Sequence, residues 1–246
     1  MINYYASTDI GLHREINQDS YLTITNKNGD FLALVCDGIG GGNAGDVASG
    51  ETVKFLEKDF KKAPVFSKLD DGKNYLIKTI NDVNKHVFNL ANKHREFEGM
   101  GTTLTGILVT KFGILCINIG DSRVYGFVDN KIFRLTKDHT LVNQMIDNGQ
   151  ITYEESLTHP QRHYLVRAIG VWKDVEADIH EVKELDHYVI CSDGLCGYVD
   201  DKKILEIMNS KAYKDCELKC KALIDTALLA GGYDNITVAV VTYENR

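Results

Sequence analysis

The chain has 246 residues, 43% of them hydrophobic and 26% charged, and a formal net charge of −7. These proportions suit a soluble globular protein, and the acidic balance argues against a nucleic-acid binder, whose polyanionic ligand calls for a basic surface. Only two prolines occur, Pro64 and Pro160, and no Pro/Ser-rich linker divides the chain, so a single domain over 1–246 is expected.

The opening MINYYASTDI lacks the basic and apolar regions of a secretory signal, and no apolar run reaches the length of a membrane span. Segments 2–8 and 20–25 read as short strands around the polar turn GLHREINQD. FLALVC (31–36) is a continuous apolar run of strand length, as expected of a strand covered on both faces. A glycine loop follows, then a helix over 45–60. A longer helix is expected over 73–95, where Ile77, Ile80, Val83, Val87 and Leu90 recur at steps of three and four.

After residue 100 the period changes. TTLTGILVT, GILCINIG and SRVYGFV (102–128) are β-rich runs between tight turns, and Asp129-Asn130 marks a hairpin. Residues 140–170 are polar and mixed, with a short helix near 140–147. HYVICSD (187–193) is another strand, followed by helices near 201–209 and 215–230 and a last strand over 235–243. Hairpins in the middle and helices grouped in pairs point to an α+β layer architecture, two packed sheets with helices on the outer faces. The cysteines make no disulfide or metal pattern. Cys36, Cys116 and Cys191 sit in apolar strands, and Cys216 and Cys220 share a helix face. A reduced, cytoplasmic compartment is expected.

Four aspartates stand in glycine-bearing turns that close apolar runs: Asp37 in ALVCDGIGGG, Asp121 in INIGDSR, Asp193 in VICSDGL and Asp234 in GGYDNIT. Carboxylates gathered at one rim of a sandwich would suit Mg²⁺ or Mn²⁺, and such a cluster activates water against phosphate. A rival reading is that each acid merely caps its own turn. Gly40 to Gly45 also matches the dinucleotide pattern GxGxxG between a strand and a helix. Asp37 at the strand end would repel a pyrophosphate, however, and no parallel strand returns promptly. No Gly-Lys-Ser/Thr follows, which excludes a P-loop.

RxxNQD (14–19), DGIGG (37–41), GDVAS (45–49), MGTT (100–103), GDSR (120–123), DH (138–139), SDGL (192–195) and DNIT (234–237) occur in that order. This set resembles the metal-dependent protein serine/threonine phosphatase family, type 2C, in its compact bacterial form, from about residue 6 to 242. The resemblance implies a four-layer α–β–β–α sandwich, with two mostly antiparallel central sheets flanked by helix pairs. It implies hydrolysis of phosphoserine and phosphothreonine in proteins by direct attack of a metal-bridging hydroxide. Two Mn²⁺ or Mg²⁺ ions are implied, with a third possible. Asp37 would bridge the two ions, the Gly38 carbonyl would join the first, and Asp193 and Asp234 would hold the second. Asp121 would share the third ion with Asp193. Asp19 would hold a metal-bound water, and Arg14 would bind the phosphate. Residues 140–165 match the family's flap. Ile39, Gly42 and Asp46 depart from residues seen at those positions in relatives, and the leaving-group acid is left between His139 and a metal-bound water. Cys196, close to Asp193, is either a redox-sensitive thiol or a small loop residue. The expected partners are phosphorylated proteins, among them substrates of a cytosolic serine/threonine kinase and the kinase itself, met by a monomer. Two rivals from other classes are a non-catalytic phosphoprotein-binding module on the same fold and a nucleotide-dependent oxidoreductase.

Overall fold

The computed structural model describes residues 2–40 and 44–243. Its strands are β1 (Ile2–Asp9), β2 (Asp19–Thr25), β3 (Phe31–Ile39), β4 (Gly101–Thr102), β5 (Leu104–Thr110), β6 (Gly113–Ile119), β7 (Arg123–Val128), β8 (Lys131–Arg134), β9 (Asp178–Val182), β10 (His187–Cys191) and β11 (Ile236–Tyr243). The α-helices are α1 (Ala44–Phe60), α2 (Leu69–Lys93), α3 (Leu141–Asp147), α4 (Tyr153–Leu157), α5 (Asp193–Cys196), α6 (Asp201–Asn209) and α7 (Cys216–Leu229).

One sheet runs β1-β11-β10-β7-β8. The other runs β2-β3-β5-β6-β9, with β4 added to the end of β3. The pairings are antiparallel. The apolar run of β3 shows why four layers form. Side chains alternate across a strand, so Leu32, Leu34 and Cys36 face one way, into a core shared with α1 and α2. Phe31, Ala33 and Val35 face the other sheet, where they meet Tyr188, Ile190, Ala239 and Val241. β11 divides in the same way, sending Ile236, Val238 and Val240 into a third core with α6 and α7. A strand buried on both faces needs no polar alternation, which is why these segments read as unbroken apolar runs.

The four-layer architecture is the expected one, and antiparallel pairing on both sides of β3 removes the dinucleotide reading, which needs parallel strands. The middle of that glycine motif, Gly41, Gly42 and Asn43, lies outside the described residues. The hairpin at Asp129-Asn130 is present, with φ of 51° and 61°, the two positive values of a type I′ turn joining Val128 to Lys131. Three elements went unread: β9, α4 and the single turn α5, which begins at Asp193 where the strand reading ended. β9 was hidden by its mixed composition, DIHEV, at a sheet edge. α4 follows a Thr152–Glu155 capping box whose two reciprocal hydrogen bonds satisfy the helix start. In α2 the buried stripe is Leu76, Ile80, Val83, Val87 and Ala91. Ile77 is 43% exposed, because it stands about 100° around the helix from Leu76.

Candidate active site

Antiparallel register brings the acids to one rim. Asp19 opens β2 directly opposite Asp37 near the end of β3. Leu104 pairs with Ile119, so Asp121 leaves β6 beside the β4–β5 junction. The Ser192 N–H donates to the Thr237 carbonyl at 3.0 Å, which sets Asp193 at the end of β10 beside the start of β11, just after Asp234. Arg14, Asp37, Gly38, Asp121, Asp193 and Asp234 line one cleft of about 640 Å³.

Short polar side chains fasten this rim from behind. Asp37 N–H donates to Thr103 Oγ1 at 2.9 Å, and that hydroxyl bonds Ser122 Oγ at 2.8 Å. Ser192 Oγ donates to Asp19 Oδ2 at 2.8 Å and accepts from Thr237 N–H at 2.9 Å. Asn235, buried, accepts from Gln18 N–H at 2.8 Å and donates to the carbonyls of Ile10 and Ile16 at 2.9 and 3.1 Å. One amide thus laces the whole 10–18 loop, which carries Arg14, to the turn that carries Asp234. Sequence reasoning assigned no role to Thr103, Ser192, Asn235 or Thr237, although each lies inside a quoted motif.

Burial and mutual repulsion dominate the electrostatics of this rim. Burial, then repulsion from Asp19, Asp193, Asp121 and Asp234, holds the Asp37 carboxyl well above the usual range. Burial and then Asp193 do the same to Asp121. Asp193 is raised by burial and then Asp234, with a hydrogen bond to Asp37 opposing the shift. Burial raises Asp19 to about 7, against the pull of its Thr237 and Ser192 hydrogen bonds. In each of these four acids burial, reinforced by neighbouring carboxylates, favours the proton, and the nearby Arg14 at Asp193 and Arg123 at Asp121 offset this only in part. Asp234 is ion-paired to Arg14, whose Nη2 lies 2.7 Å from its Oδ2.

Do these residues suit divalent metal ions? Among the described residues no three His, Cys, Asp or Glu side chains gather closely enough to hold one metal ion directly. Mg²⁺ and Mn²⁺ dehydrate reluctantly and keep several waters, so a carboxylate can hold such an ion through a water as well as directly. Three buried carboxylate oxygens among the described residues have no hydrogen-bond partner, and two of them, Asp19 Oδ1 and Asp193 Oδ1, belong to the acids the motifs singled out; the third is Asp46 Oδ1. At Gly38 an added Cβ would lie 2.2 Å from the Gly45 carbonyl oxygen and 2.4 Å from that of Gln18, so only glycine lets β3 run this close to those two stretches of backbone. The donor set, all hard oxygen, fits such ions.

His139 is placed elsewhere. It is 8% exposed and does not line the cleft. Its Nδ1 accepts from Gly120 N–H at 3.2 Å, and Nε2 faces Asp178 Oδ2 at 3.0 Å. With both nitrogens engaged, it fastens the turn that presents Asp121 instead of meeting a leaving group. The imidazole that does line the cleft is His163, which sequence reasoning passed over. It belongs to the 140–165 segment, whose two ends meet: Thr140 bridges Leu165, and Leu141 N–H donates to the Tyr164 carbonyl at 2.8 Å. The Cys191 thiol and burial hold Cys196 well above the ordinary thiol pKa, which leaves little reactive thiolate.

Comparison with known proteins converges on one group. The family model described as protein phosphatase 2C matches residues 13–215. A putative protein phosphatase 2C-type of Streptococcus pyogenes is 38% identical over 241 residues, covering 97% of this chain and 96% of the relative. The serine/threonine phosphatase stp of Listeria welshimeri is 36% identical over 95% of this chain and 93% of its own length. The crystal structure of serine/threonine phosphatase Stp1 from Staphylococcus aureus superposes with a TM-score of 0.92 at 32% identity, covering 100% of this chain and 96% of that one. The S. agalactiae serine/threonine phosphatase gives 0.93 at 33% identity, over 99% of this chain and 100% of that one.

Proposed function

The chain belongs to the protein phosphatase 2C family, and on that premise we propose that it hydrolyses phosphoserine and phosphothreonine in proteins. The observation that carries this reading is the rim itself: Asp37, Asp121, Asp193 and Asp234 in one cleft with Arg14. All the acids that the motifs singled out are present, which argues against a non-catalytic binding module.

Asp37, the Gly38 carbonyl, Asp193 and Asp234 would hold two Mg²⁺ or Mn²⁺ ions, with Asp121 contributing to a third. Bound there, such ions lower the pKa of a water and offset charge on phosphoryl oxygens. The chain's own groups do the rest. Arg14 turns its planar guanidinium from Asp234 toward two phosphoryl oxygens, which its fork geometry matches. Asp19, held by Ser192, keeps its second oxygen, Oδ1, for an ordered water. Thr103 and Asn235 fix the backbone of the acids, so little reorganisation accompanies reaction. His163 is the imidazole placed to protonate the departing serine or threonine oxygen.

The substrates are phosphorylated proteins, and a serine/threonine kinase is the natural counterpart and itself a candidate substrate. No helix among the described residues is long and apolar enough to cross a membrane, and we place a monomeric, single-domain enzyme in the cytoplasm. The test is phosphate release from a phosphothreonine peptide by metal-stripped protein, with and without Mn²⁺, beside Asp193→Asn. Metal-dependent release that collapses in the variant supports the reading. No release by folded protein with or without Mn²⁺ refutes it.

A further inference from the structure

On one side of the acidic rim the surface turns aromatic. Tyr198, just beyond α5, lines the cleft and is 43% exposed; Tyr233, the neighbour of Asp234, is 52% exposed. Their ring centroids are 5.4 Å apart at 37°. His13, the neighbour of Arg14, stacks on Tyr233 at 5.0 Å and 14°. Three rings therefore run outward from the cleft in an unbroken row. Leu12 continues the row on the same loop and is 67% exposed.

This row is built to hold its shape. Leu12 N–H donates to the Gly232 carbonyl at 2.7 Å, tying the two loops together. The Tyr233 ring lies so close on Gly231 that an added Cβ there would sit 2.2 Å from a ring carbon. Gly231 also has φ +126°, a conformation that side chains rarely adopt. A ring seated on backbone from below and stacked by an imidazole has lost its rotamer freedom before anything binds, which lowers the cost of a later contact.

Resting on the phosphatase reading above, we propose that Tyr198, Tyr233 and His13 form a docking shelf for an apolar side chain that flanks the phosphorylated residue in the protein substrate. The shelf is continuous with the cleft through Tyr198, and its outer rings sit next in sequence to Arg14 and Asp234. Whatever lies on it is thus attached to the chain that carries the phosphate. Successive residues of an extended peptide advance about 3.3–3.6 Å. A residue one to three positions from the phosphorylated one therefore reaches rings spaced as these are. The phosphate group is common to every substrate and cannot select among them. An apolar neighbour on preset aromatic surface can, because burying it against the rings removes apolar area from water.

The experiment compares phosphothreonine peptides that place leucine or serine at each of three positions on either side of the phosphothreonine, using kcat/KM with Mn²⁺. For the unaltered protein, leucine at one position should raise kcat/KM about five- to ten-fold over serine, mainly through KM. In Tyr233→Ala that ratio should fall toward one. Because it is a ratio within one variant, any general loss of activity cancels. His13→Ala, an exposed side chain, gives the same readout where Tyr233→Ala fails to fold. The proposal is overturned if the unaltered protein shows no leucine preference at any position, or if the preference survives in a folded variant. It is overturned too if sedimentation reveals a dimer that Tyr233→Ala dissolves, since a second copy would then cover the shelf. No release from any peptide would instead bring down the phosphatase reading, and the shelf with it.

Discussion

Replacing Asn235 by alanine isolates the lacing of the site from its acids. The side chain is 4% exposed and makes three hydrogen bonds, one from Gln18 N–H and two to the carbonyls of Ile10 and Ile16. At about 1 kcal/mol net for each, the loss is about 3 kcal/mol. For a chain of this size that lowers the melting temperature by about 6–12 °C. Alanine also leaves the Gln18 N–H without its acceptor next to Asp19, and frees the loop that carries Arg14. The phosphatase rate should therefore fall by about 10- to 100-fold even well below the new melting temperature, since a misplacement of about 1 Å can cost that much. Asn235→Asp separates the contributions. It keeps the acceptor for Gln18 but turns the single donating NH₂ into an oxygen that faces two carbonyls, beside Asp234, and should be no better than alanine. The assays are thermal unfolding by circular dichroism and phosphate release from a phosphothreonine peptide at saturating Mn²⁺. An alanine variant that melts within about 2 °C of the parent, less than 1 kcal/mol, would refute the claim that this amide holds the loop.

In chelator, Asp193→Asn should melt no lower than the parent, because it removes one of several crowded buried carboxylates; a large drop would mean that the ionised acid stabilises the metal-free fold. Asp138 is clamped by Arg123 at 2.9 Å and by Arg134, so Asp138→Ala strands two cations and should cost about 3 kcal/mol, read as a lower urea midpoint. Burial and then Lys219 lower the His187 pKa from 6.5. Unfolded chain therefore binds the proton first: stability is full above pH 6.5 and falls as pH drops through the folded value. His187→Asn should flatten that fall in a series of melting curves from pH 7 to 5. His163→Ala should slow alkyl phosphate esters about 100-fold and aryl esters much less, whereas equal loss on both would deny it the leaving-group proton.

The sequence by itself determined a good deal. Strands buried on both faces announced themselves as unbroken apolar runs, because β3, β10 and β11 have no solvent side. The acids stood out because each occupies a turn with its own local signature, and the order of the motifs then pointed to one family. Local chemistry of this kind is written within a few residues. Tertiary structure decided what depends on residues far apart. Ser192 meets Asp19 across 173 positions and Asn235 meets Gln18 across 217, contacts that only the shared end of two sheets creates. It also set apart two histidines, His139, which the sequence reading weighed, and His163, which it passed over. His139 is adjacent to a motif acid yet is turned beneath the Gly120 loop, while His163 comes from the 140–165 segment to line the cleft. Which way a ring points is settled by what packs around it, and for His139 that partner comes from β9.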